Sequence, residues 1–196
     1  MNPPLTPAGT AAETARQADL WKPVLLRALA ALAFGVLTIF WPGPSVEVMG
    51  FAGGLYLLAT GALLLWGLPK TGFARDGAPG KILSAGGAAL TGAGAAAVLL
   101  HGDGVFGTVA ALGLGIAGAT ELYCGLRHRG RHVLARDWVA SGIIGLGTAA
   151  ALPFFISLGA HALLGVAGGG AIISGVLWIL SGLSLRHDSR PALPKP

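Results

Sequence analysis

Two charged side chains, Arg27 and Glu121, fall inside long apolar stretches of the chain. A charge in hydrocarbon costs roughly 3 kcal/mol on insertion scales and is held there by a partner or by water, so such residues point to function. Three arrangements suit the two: an ion pair, separate snorkelling toward the near surface, or a proton or ion site. A second concentration of reactive types is "GLRHRGRHVLARD" (125–137), with four arginines and two histidines. Cys124, His128 and His132 are spaced by four, which on one helical face would present three metal ligands. Gly130 weakens such a helix and no fourth ligand is evident, so no metal site is expected.

A third set, Glu47, His101, Asp103 and His161, gains protons as pH falls, the histidines near pH 6.5 and the carboxylates near 4. They read as a pH-responsive face or as solvated turn residues. No paired carboxylates flank a cleft and no Ser/His/Asp set is visible, so neither catalytic residues nor a bound cofactor is expected. "GLGIAG" (Gly113, Gly115, Gly118) matches a dinucleotide-binding fingerprint, but it lies within an apolar run rather than between a strand and a helix. Nucleic-acid binding would want a larger basic surface with aromatic stacking groups, and the 125–137 loop has no aromatic residue.

The elements that must carry these residues follow from composition. Of 196 residues, 54% are hydrophobic and only 11% charged, with a mean hydropathy of +0.72. A soluble domain carries roughly a quarter charged residues, so lipid is the expected solvent. A bilayer core about 30 Å thick needs roughly 20 apolar helical residues. Six stretches qualify: 24–40, 48–68, 82–100, 105–126, 138–156 and 161–183. The expected fold is an all-α membrane protein of six transmembrane helices (21–186), built as hairpins 21–68, 82–126 and 138–183, with tails at 1–20 and 187–196. The first apolar run carries Arg27 and no small-residue cleavage site, so it reads as a retained span rather than a signal peptide.

Twelve of the 13 basic residues fall in the two tails and in the loops after the second and fourth spans; Arg27 is the thirteenth. The positive-inside rule then puts both termini in the cytoplasm and the basic loops against anionic lipid head groups. Trp21, Trp41, Trp66, Trp138 and Trp178 mostly lie near span ends and read as interfacial anchors.

Spans also repeat with a period of 57 residues. Aligned without gaps, Ala28, Ala31 and Gly35 fall over Ala85, Ala88 and Gly92, and over Gly142, Gly145 and Ala149. Thr60 and Gly61 fall over Ala117 and Gly118, then Ser174 and Gly175. Small residues four apart let helix backbones approach closely, so these are the expected helix contacts. Two spans per unit make the three hairpins parallel repeats, related by a pseudo-threefold axis along the membrane normal.

"WKPVLLRALAALAFGVLTIFWPG" (21–43) followed by "GGLYLLATGALLL" (53–65) resembles the HdeD family of bacterial acid-resistance membrane proteins. The leading Trp, the early Arg, the run ending at Trp-Pro-Gly and the repeated short hairpins carry the resemblance, over roughly 21–186. It implies a multi-pass inner-membrane protein with a role in acid or stress tolerance, acting structurally or through a homo-oligomer or another membrane protein. A passive channel or transporter for protons or a small solute is the alternative. The very small third span (85–100) departs from the family pattern.

Overall fold

The computed structural model describes residues 19–74 and 76–189. Arg16, Arg75, Arg190, Lys195 and most of both expected tails lie outside the described residues. Every regular element described is helical, as expected: α1 Trp21–Phe40, α2 Val46–Gly67, α3 Ala78–Leu100, α4 Asp103–Arg127, α5 Ala135–Phe155 and α6 Gly159–Asp188, with 3-10 turns at Leu68–Lys70 and Ile156–Leu158. The Ser45 hydroxyl caps α2 by accepting from the Val48 N–H, and Pro79 opens α3 where its missing N–H costs nothing. α6 runs to Asp188, past the end expected for the last span.

Five helical stretches are long and apolar enough to cross a membrane, the last being Ala135–Asp188 with 54 residues. As one straight helix it would extend about 80 Å. Instead the chain reverses at the Ile156–Leu158 turn, where Gly159 takes a φ of 81°, and α5 and α6 pack side by side.

Each helix packs against its neighbours in sequence, and α6 closes the ring against α1. The tightest seams are α1 with α6, α2 with α3, and α4 with α5, while α2, α4 and α6 also touch one another across the centre. Small residues make these seams. Cβ atoms added at Gly118 and Gly142 would each lie within 2.9 Å of the other's carbonyl oxygen, so the two backbones are in contact. The outer surface is apolar, with Phe40 78%, Leu99 76% and Phe154 79% exposed, as suits a hydrocarbon surround.

The third helix corrects one expectation. Ala88 and Gly92 are exposed, and nothing lies within 4 Å of a Cβ built at Gly92. Gly87 and Gly94 make the contacts instead, Gly87 against Gly61 and Gly94 against Gly54 and Leu58. The packing register of α3 is two residues later than an ungapped alignment gives. The turn between α3 and α4 is short, only His101 and Gly102, against 41–45 between α1 and α2. It closes through left-handed backbone at His101 (φ 28°) and at Gly102 (φ 147°).

Candidate functional site

Arg27 sits six residues into α1 and Glu121 six residues before the end of α4, each about 9 Å from its helix end. The antiparallel seams bring those ends together, and Arg27 Nη1 lies 2.5 Å from Glu121 Oε1. Their side chains are 12% and 2% exposed. The second carboxylate oxygen, Oε2, accepts a hydrogen bond from the Ser141 hydroxyl on α5. Oε1 faces the Arg27 guanidinium, its counter-charge. The guanidinium also lies over the Trp178 ring, 4.7 Å from its centroid, in cation–π contact.

Below this layer is a cavity of about 30 Å³ lined by Arg27, Glu121, Ser141, Tyr56, Thr60, Ser174 and Trp178 together with apolar neighbours. A second cavity of similar size shares Arg27 and Trp178 and extends toward the basic end past Leu20, Pro23 and Leu134. In the other direction the interior is closed by Met49, Leu57, Phe106, Leu152 and Leu163, and Phe34 stacks on Tyr56 with centroids 4.5 Å apart. The arrangement holds two opposite charges inside the bundle beside a small cavity with polar lining.

No family model, curated protein or solved structure matches this chain.

The remaining expected residues separate into three groups. Ala31, Gly35, Gly61, Gly118, Gly175 and Ala149 are buried, and Gly145 lies 3.4 Å from Gly118 when given a Cβ. Glu47 and His161 are exposed at the turns opposite the basic loops, whereas His101 and Asp103 are half-buried there, with Nε2 and Oδ1 shielded from solvent and without protein partners. His101 also packs against Phe51, with centroids 4.9 Å apart. These four residues share one end of the bundle without forming an ion pair or hydrogen bond among themselves in the described residues.

Cys124, His128 and His132 do not form one face, because α4 stops at Arg127. His128 Nδ1 contacts the Cys124 carbonyl at 3.0 Å. His132 Nδ1 accepts from the Leu134 N–H at 3.1 Å, which leaves the proton on Nε2, and that donates to the Thr71 carbonyl at 2.9 Å. Its ring joins Phe73 and Trp138 in a three-ring cluster, with centroids 4.9 and 4.6 Å from His132 and 5.8 Å from each other. Burial chiefly lowers the His132 pKa from 6.5, aided by His128 and opposed by the Thr71 bond. The histidine therefore clips the loop after α2 to the loop after α4.

Two tryptophans are corrected: Trp138 and Trp178 are 1% and 2% exposed and belong to the core, not to an interface. Ser141 and Trp178 were reachable from sequence through the period. Ser141 lies two periods after Arg27, and Trp178 one period after Glu121. The bond from His132 to Thr71 leaves no such signal.

Proposed function

We propose that this chain is a multi-pass protein of the bacterial inner membrane, with six spans forming three parallel hairpins and both termini in the cytoplasm. Its role is acid or stress tolerance of the HdeD type, exerted structurally or through membrane partners, with anionic lipid head groups at the basic loops. Support for six spans comes from the reversal at 156–159, since one 54-residue crossing would far exceed the bilayer. The seams support the triplication: Gly61, Gly118 and Gly175, a period of 57 apart, meet the backbones of Gly87, Gly142 and Ala28 in turn. Orientation draws support from the clustering of Lys70, the 127–136 arginines and Arg186 at one end, where Arg186 lies over Trp21 and His132 reaches Thr71.

The observation that carries a non-conducting role is the closed axis. The half of the interior away from Arg27 is filled by Met49, Phe106, Leu152 and Leu163, each at most 1% exposed, whereas a conduit needs polar groups along a shared path. The polar chamber beside Arg27 is the one feature that favours the channel reading, and it ends at the Tyr56 and Leu114 level. Sealed liposomes carrying an interior pH dye separate the two. The proposed role predicts no protein-dependent proton or solute flux at neutral or acid outer pH, together with better acid survival of cells producing the protein. Flux would establish the channel, and unchanged survival would remove the tolerance role.

A further inference from the structure

Arg136, Val139, Ala140 and Ile143 are spaced i, i+3, i+4 and i+7 and so share one face of α5. They line a groove of about 240 Å³ at the surface of the bundle, and Arg129, from the turn before α5, completes it. That turn is held by left-handed backbone at Gly130 (φ 75°) and by the His128 carbonyl, which accepts from the Arg131 and His132 N–H groups at 3.0 and 3.2 Å. The groove therefore has two parts, a pair of exposed arginines at the basic end and an apolar wall whose Ile143 is 57% exposed. Seven residues of helix carry that wall about 10 Å along α5, within the roughly 15 Å of hydrocarbon in one leaflet.

Charge selects the occupant. Neither arginine makes an ion pair among the described residues, and the acid next to Arg136 is engaged elsewhere: Asp137 Oδ2 accepts from the Ser181 hydroxyl on α6 at 2.7 Å. Two guanidinium groups without counter-charges suit a phosphate, whose oxygens match their forked donors. An exposed apolar wall beside them suits a hydrocarbon chain. A soluble phosphate would leave the wall bare, a neutral acylglycerol would leave the arginines unmet, and a zwitterionic head group would bring its own cation against them. A groove between α1 and α2 makes the contrast. At about 280 Å³ it is of similar size, but its lining, Phe34, Leu55, Tyr56 and their neighbours, carries no charge and gives no means of telling one lipid from another.

We propose that the groove on α5 is a binding site for one anionic glycerophospholipid, its phosphate held by Arg129 and Arg136 and an acyl chain laid along Val139, Ala140 and Ile143. The site rests on the membrane reading above and deepens it, because it turns a general attraction of basic loops for anionic head groups into a defined place. Arg127 and Arg131, in the same segment, lie outside the groove.

The test titrates the full-length protein in a neutral detergent with phosphatidylglycerol and with phosphatidylcholine of the same acyl chains, counting bound lipids by native mass spectrometry. At roughly five-fold per arginine, the first phosphatidylglycerol should bind about 20-fold more tightly than phosphatidylcholine. Arg129→Gln/Arg136→Gln should abolish that preference, whereas Arg127→Gln/Arg131→Gln, which removes equal charge, should leave it. All four side chains are exposed, so neither variant disturbs the packed interior. Glycerophosphoglycerol, the same head group without chains, should not compete. Three results would overturn the site: no preference in the parent protein, equal loss in the two double variants, or displacement by the chainless head group, which would mark a soluble-phosphate site. Protein that stays in solution without detergent would instead remove the membrane reading itself, and the site with it.

Discussion

Removing the carboxylate of Glu121 leaves the Arg27 guanidinium buried over Trp178 without its counter-charge, and breaking a buried pair from one side costs about 3–5 kcal/mol. Glu121→Gln and Arg27→Gln should each destabilise the protein by that order in a detergent unfolding titration. The double variant Arg27→Met/Glu121→Leu should recover much of the loss, since two apolar residues leave no orphaned charge. Equal losses in single and double variants would mean that packing, not charge, matters here. His132 makes a second prediction. Its folded pKa lies below the unfolded value of about 6.5, so the unfolded chain takes up the proton first as pH falls. The stability this group contributes is full above about pH 6.5 and is lost as pH drops through that value toward the lower folded one. Thermal unfolding from about pH 8 to about pH 5 should therefore show a fall that is smaller in His132→Phe, which keeps the ring stack but not the titration. The ion pair was open to sequence reading because charge is so scarce in the apolar runs; the His132 clip was not, because its partner is a backbone carbonyl 61 residues away.

At the scale of helices, contact is decided by which small residues face a seam. A methyl group at Gly118 would sit 2.9 Å from the Gly142 carbonyl oxygen and the Leu146 nitrogen, and at Gly94 it would sit 2.6 Å from Gly54 O and Leu58 N. Backbone cannot yield as a side chain does, so Gly118→Ala and Gly94→Ala should each cost about 1–3 kcal/mol. Gly92→Ala, in open space, should be neutral or slightly stabilising by helix propensity. If Gly92→Ala were the damaging one, the register of α3 described above would be wrong. The all-helical class was legible, and so was the use of small residues at the seams. What escaped an ungapped alignment is a pair of offsets that cancel. Between Gly61 and its seam partner Gly87 the chain carries two more residues than between Gly118 and Gly142, and the turn after α3 gives those two back. Even helices hence keep the 57-residue spacing while α3 alone slides.

For the whole molecule, one physical condition ties these parts together: a ring of apolar helices long enough to cross a membrane, its described basic residues gathered at one end and the buried Arg27–Glu121 pair near that end. Composition alone points to lipid as the solvent, because an 11% charged chain cannot cover itself for water. Single cysteines placed at 43, 158, 72 and 131, in a chain whose own buried Cys124 is replaced by Ala, can be probed with an impermeant maleimide added to intact cells. Labelling at 43 and 158 with protection at 72 and 131 until the membrane is opened is the predicted result. Labelling of 131 from outside, or protection of 158 both before and after opening, would contradict six crossings with the basic loops inside.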